Sequence, residues 1–163
     1  MSAIYFRGLL GKLVTRIARL RGLPLRDWVV LAQLIAFCGV TSVALRATSW
    51  QRVSQMIISG SRLRWLRRVP FFHLGYAIEN LSPLVEMASS ICPRNRCLVR
   101  SMMLLWLLRA RGESAEVVLG VRKRAGSFEA HAWTVSEQGL IGEKPEAIAE
   151  FAVITSSVKQ AQL

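Results

Sequence analysis

A single change of period near residue 112 constrains this chain more than any other feature. Residues 97–109 are a run of strong helix formers rich in Leu and Met, and the run stops at Gly112, a residue suited to the left-handed position after a helix end. Beyond it, residues 115–122 and 128–135 read as strands separated by a turn at 123–127. Gln138-Gly139 marks another turn, Leu140-Ile141 a short third strand, and residues 151–154 a fourth. A helix followed by an antiparallel meander predicts an α+β fold.

Ahead of the switch the pattern is helical throughout. Leu9, Leu10, Leu13, Val14, Ile17 and Leu20 recur at helical spacing, with Lys12, Arg16 and Arg19 largely on the other face. Gly22-Leu23-Pro24 ends that segment. An apolar stretch covers 28–45, further helices are expected over 49–59 and 73–90, and a basic stretch runs from Arg62 to Arg68. Charge divides along the same line. Residues 1–96 hold 14 Lys and Arg against Asp27, Glu79 and Glu86, a net +11, whereas residues 97–163 are nearly neutral at +1. The composition shift suggests a boundary near 88–96, giving a basic helical region at 1–90 and a core at 91–163.

The 28–45 stretch is at the lower edge of the roughly 17–25 residues that a membrane span needs. Gln33, Thr41 and Ser42 interrupt it, and arginine stands at both ends, so no charge asymmetry orients it. Burial in the core, contact with a lipid surface and a true span are all compatible with the pattern. Anionic lipid would suit the basic 6–21 segment. Nucleic acid is not the expected partner, because no zinc knuckle, RNP-like strand or helix-turn-helix pattern accompanies the charge.

Three cysteines, an odd count without a cleavable signal segment, point to a reducing, cytoplasmic setting. Cys38, among Ala36, Phe37 and Val40, reads as a small core hydrophobe. His73, beside Phe71, Phe72 and Leu74, reads as structural. Cys92 and Cys97 are close enough in sequence for a disulfide or metal pair, but no second pair completes a zinc set. Neither a metal nor another cofactor is expected.

Cys97 is different. It heads a helix behind the polar residues Arg94, Asn95 and Arg96, where unpaired N–H groups and the helix dipole favour thiolate. His131 follows 34 residues later inside a strand, in the string Phe128-Glu129-Ala130-His131-Ala132-Trp133. Thiol on a helix and imidazole on a sheet form the core of a cysteine hydrolase. The separation is far shorter than in papain-type proteases, and their signature around the cysteine is missing.

Cys97-Leu98-Val99-Arg100-Ser101, the following Leu104-x-Trp106-Leu107-Leu108-x-x-Arg111-Gly112, Leu119-Gly120-Val121-Arg122-Lys123 and Phe128-x-Ala130-His131-Ala132-Trp133 resemble the transglutaminase-like leader peptidases of lasso peptide biosynthesis. The resemblance covers 92–155 closely and the front half in character only. It implies a compact transglutaminase- or papain-like core, a cysteine protease that cuts the leader from a precursor peptide, and a separate ATP-dependent cyclase acting afterwards. It also implies that Cys97 is the nucleophile and His131 the base. The family's third member is a carboxylate, usually aspartate, about a dozen residues after the histidine. Here that place holds Glu143. A turn over 136–138 sets Glu143 opposite His131, and a tight Gln138-Gly139 turn sets Glu146 there instead. Trp133, two residues along from His131, either shields the pair or packs.

Relatives with a fused leader-recognition module carry strands at the front, and residues 1–96 have no strand pattern. The resemblance therefore implies a stand-alone peptidase that relies on a separate leader-recognition protein, while the apolar 28–45 stretch and the basic front segment add peripheral contact at the inner membrane face as an option. Two other classes fit the residues. One is acyl transfer on the same core, with an amine replacing water. The other is a non-enzymatic basic helical protein binding membrane or nucleic acid, with Cys97 merely buried.

Overall fold

A computed structural model describes residues 24–157, except 62, 64–67, 69–74, 93, 94 and 125. The expected 6–21 helix, His73 and most of the Arg62–Arg68 stretch lie outside the described residues. The elements follow one another as α1 (Leu25–Ala47), α2 (Trp50–Gly60), α3 (Ile78–Ser89), α4 (Arg96–Ala110), β1 (Ala115–Arg124), β2 (Ser127–Ser136), β3 (Gly139–Ile141), the short α5 (Pro145–Ile148) and β4 (Ala152–Ser156). The fold is α+β, as the change of period predicts.

Helix α4 is the axis of the structure. From Ser101 to Leu108 every residue is buried, so the helix needs apolar neighbours on all sides. Helices α1, α2 and α3 pack against it, and β1 and β2 pack against it as well. Thr134 of β2 donates its hydroxyl to the Ser101 carbonyl at 3.1 Å, giving the buried interface a satisfied polar tie. Truncating a fully buried leucine such as Leu105 or Leu107 to alanine would cost about 2–5 kcal/mol. The helix ends as its sequence predicts. Gly112 has φ 85°, and the N–H of Glu113 reaches back to the Leu108 carbonyl at 3.0 Å.

One hydrophobic core runs from Val30 and Leu34 of α1 through Leu81 and Val85 of α3 and Met102 to Leu108 of α4 to Val117 and Ala132 of the sheet. Described residues on both sides of position 90 contribute to this core. Helix α3 begins at Ile78, later than the periodicity suggests.

The sheet has strand order β3-β2-β1-β4, all pairs antiparallel. This corrects the expected meander: β4 does not follow β3 at the same edge but returns beside β1, with a register shift at Leu119/Gly120. The short α5, opened by Pro145 in its first turn, carries the chain across.

Cys38 and Cys92 form a disulfide, so Cys38 is not a free core thiol and the option of a Cys92–Cys97 pair is not the one taken. Cys38 is as buried as expected, but its partner Cys92 stands in the turn that follows α3. Sequence distance hid the pair, since 54 residues separate them. With that bond made, Cys97 is the free cysteine, and an odd count no longer argues for a reducing compartment.

Helix α1 is not a wholly buried helix either. Val30, Leu31, Leu34, Cys38 and Thr41 face the core, while only 28% of its apolar stretch is buried.

Candidate active site

Asn95 sets up the site. It is the one non-glycine residue with positive φ among the described residues (55°), and it turns the chain into the first turn of α4. The first bond of the helical ladder runs from Val99 N–H to the Asn95 carbonyl at 2.9 Å. The N–H groups of Arg96, Cys97 and Leu98 precede it, so they point out of the helix end. Cys97 is half-buried among them.

His131 comes from β2. Pairing with β3 covers only Thr134 to Ser136, which leaves that edge of β2 open at His131 and Ala132. Cys97 occupies the opening: its sulfur is hydrogen-bonded to His131 and to the backbone N–H groups of Ala132 and Leu98. Burial pushes the Cys97 thiol up, yet these hydrogen bonds and the His131 charge outweigh it, and the pKa lies below its ordinary 9.0. His131 moves the other way. The hydrogen bond to Cys97 raises it, burial opposes, and the hydrogen bond and charge of Glu143 raise it further above 6.5. The two shifts favour a thiolate–imidazolium pair.

Glu143 completes the row. Its Oε1 lies 3.0 Å from His131 Nε2, which leaves Nδ1 as the ring nitrogen facing Cys97. The β2–β3 turn holds only Glu137 and Gln138 between Ser136 and Gly139, so neither turn considered from sequence is the real one. Continued regularly, that register would set Lys144 opposite His131. The chain instead leaves the sheet at Gly142, with φ 71°, and the bend swings the Glu143 carboxylate back to the imidazole. A side chain at Gly142 would meet Leu104 Cδ1 and Ser82 Oγ, both at 3.1 Å. Glu146 sits exposed on α5 and is not joined to His131.

Two features support this row. Arg100 stands three residues after Cys97 on α4 and is ion-paired with Glu143. Its Nη2 also donates to the Gly142 carbonyl at 3.2 Å, and its Nη1 donates to Glu86 Oε2 at 3.0 Å. Arg96 is paired with the same Glu86. The second feature is an aromatic backing. The Phe151 ring lies 5.4 Å from the His131 ring and the Trp133 ring 6.2 Å away. The Arg122 guanidinium sits 4.6 Å over Phe151 and pairs with Glu129 and Glu150. Trp133 is buried, so it packs. Gly120 makes room for it, because a Cβ there would come within 2.6 Å of the Trp133 ring.

This arrangement can deliver a nucleophilic sulfur, a proton donor beside it and a carboxylate that fixes the ring. Among the described residues, no cluster of His, Cys, Asp and Glu is suited to hold a metal ion. An open depression of about 450 Å³ lies against Glu143, lined also by Glu79, Ser82, Lys144 and Ala147.

No curated protein and no solved structure matches the chain. A family model for the transglutaminase-like superfamily matches residues 39–156, a span containing Cys97, His131 and Glu143. That span is well over half of the chain, and the protein belongs to the transglutaminase-like superfamily.

Proposed function

We propose that this protein is a cysteine peptidase that removes the leader from a lasso peptide precursor before a separate cyclase closes the ring. The observation that carries the catalytic reading is the row Cys97, His131, Glu143, with the sulfur in the first turn of α4 and the carboxylate 3.0 Å from the imidazole. The lasso assignment rests on the sequence strings around Cys97 and His131.

The chemistry follows from these positions. The Cys97 thiolate attacks the carbonyl carbon at the leader–core junction. The resulting oxyanion is met by N–H groups at the head of α4, the Cys97 N–H first among them. The C–N bond breaks as the His131 imidazolium gives its proton to the departing amine. The acyl group stays on sulfur as a thioester. Neutral His131 then takes a proton from water, the hydroxide adds to the thioester carbonyl, and the C–S bond breaks to restore the ion pair. Glu143 keeps the ring oriented and stabilises its charged form.

Among the described residues ahead of Cys97 every regular element is a helix, so the contacts that hold a flexible precursor are those around the cut. A leader-recognition protein would raise the effective concentration of the junction. The Cys38–Cys92 disulfide removes the cysteine argument for a cytoplasmic setting, and this reading keeps the peripheral contact with the membrane. The test is incubation with precursor and mass measurement, with and without that recognition protein. Free leader plus core is expected, at a rate that rises with the partner mainly through a lower KM. Cys97→Ala and His131→Ala should each abolish cleavage, and the double variant should be little worse. Transfer to an added amine with no hydrolysis would replace peptidase by acyltransferase. Near-normal cleavage by folded Cys97→Ala would remove the mechanism altogether.

A further inference from the structure

Helix α1 presents a second, different surface. From Trp28 to Val43 every exposed residue on it is apolar, with Val40 and Val43 exposed to 70% and 64%. Leu25, Val29, Ala32, Ala36, Val40 and Val43 fall on one stripe at helical spacing, opposite the buried stripe of Val30, Leu34, Cys38 and Thr41. The helix is 23 residues long, roughly 34 Å. Exposed apolar stripes of this length mark an interaction surface.

Charge indicates what covers it. Arg26 and Arg46 bracket the stripe, and Arg52 is exposed on the next helix. Residues 1–78 carry 12 Lys and Arg against the single acid Asp27, whose carboxylate accepts the Tyr76 hydroxyl. A second copy of the chain would bring one net charge of +12 against another. An anionic bilayer matches both features, apolar acyl chains for the stripe and phosphate for the arginines. By length and hydropathy α1 could cross a membrane, but its buried stripe and the Cys38–Cys92 bond hold it against the domain, which favours a helix lying in the plane of the surface.

We propose that α1 is an in-plane docking helix for a membrane surface of anionic phospholipid, with Val40 and Val43 in the acyl boundary. The same disulfide ties the middle of this helix to a residue five positions before Cys97, so docking sets the site's standing relative to the bilayer. The proposal does not depend on the lasso reading.

The experiment uses the full chain and sedimentation with phosphatidylglycerol or phosphatidylcholine vesicles. Binding to phosphatidylglycerol is expected, with weak binding to phosphatidylcholine. Val40→Glu/Val43→Glu should lose about ten-fold in affinity, whereas Lys123→Glu, which changes the net charge equally at a distant exposed site, should lose far less. A nitroxide on Val40→Cys, in a Cys97→Ala background, should become shielded from an aqueous nickel relaxant only when vesicles are added. Equal vesicle affinity of the double glutamate variant would overturn the proposal. So would a label already shielded without lipid, whether by another segment of the chain or by a second copy.

Discussion

Arg100 holds Glu143 from the same helix turn that presents Cys97. The guanidinium pairs with the carboxylate, donates to the neighbouring Gly142 carbonyl at 3.2 Å and is itself steadied by Glu86 at 3.0 Å. One rigid element thus sets the place of the sulfur and of the acid that orients the imidazole. A planar fork with several donors does this better than an ammonium.

Arg100→Ala should therefore lower kcat about 10–100-fold with little change in KM, as loss of groups that orient reacting ligands does elsewhere. Arg100→Lys should recover only part of it. Glu86→Gln should produce a smaller loss in the same direction. A purely structural role for Arg100 would instead show as a lower Tm with kcat per folded molecule unchanged. Initial-rate kinetics beside thermal melts separates the two.

Glu143→Gln keeps an acceptor beside His131 and removes the charge. The first cause of the raised His131 pKa is its bond to Cys97, and two of the other causes come from Glu143. Loss of that charge should lower the His131 pKa, so the imidazolium is lost at a lower pH and the alkaline limb of kcat/KM moves toward acid. Cys97, less supported by imidazolium, should deprotonate at higher pH, read as thiolate absorbance near 240 nm. Turnover should fall by about 10²-fold or more. Glu146→Gln and Glu137→Gln should leave both limbs in place. Unmoved limbs in Glu143→Gln would mean that the carboxylate does not act on the ring.

How far the sequence reached depends on range. The Cys97 helix, its Gly112 end and the β1–β2 hairpin are governed by neighbours in the chain, and the residues announce them. Cys97 and His131 were legible because each carries a local signal, a helix head and a strand. Glu143 comes from the resemblance, and the bend at Gly142 that brings it to His131 leaves no mark in the strand pattern. Arg100 belongs to the string that carries the resemblance, but its tie to Glu143 has no local sign, since its partners lie 14 and 43 residues away. Phe151 and the edge position of β4 share that cause, because a crossover leaves no periodic trace.

Gly120 and Gly142 should be intolerant for different reasons. Gly120 faces the buried Trp133, where a methyl would come within 2.6 Å of the ring and 3.1 Å of the Ala152 carbonyl. Gly120→Ala should cost about 1–3 kcal/mol and displace the aromatic backing of His131, lowering kcat as well. Gly142→Ala meets a left-handed φ of 71° together with Leu104 and Ser82. It should cost about 1–2 kcal/mol and loosen the Glu143 contact. Gly126→Ala, also left-handed but with open space around it, should lose stability without losing activity. Equal activity per folded molecule in all three would disconnect these glycines from the site.

The Cys38–Cys92 bond closes a loop of 54 residues, and restricting so long a loop in the unfolded chain is worth about 4 kcal/mol. Protein denatured without reductant should therefore expose one reactive thiol, from Cys97, and three after reduction. Cys38→Ser/Cys92→Ser should melt roughly 8–16 °C lower. The bond also joins α1 to the segment leading into Cys97, so reduction should loosen the approach to the nucleophile while leaving Arg100 and Glu143 paired on their own elements. Activity should then fall through a weaker grip on substrate, seen as a higher KM, more than through kcat. Three free thiols before reduction, with an unchanged Tm in the double serine variant, would show that the bond does not form in solution.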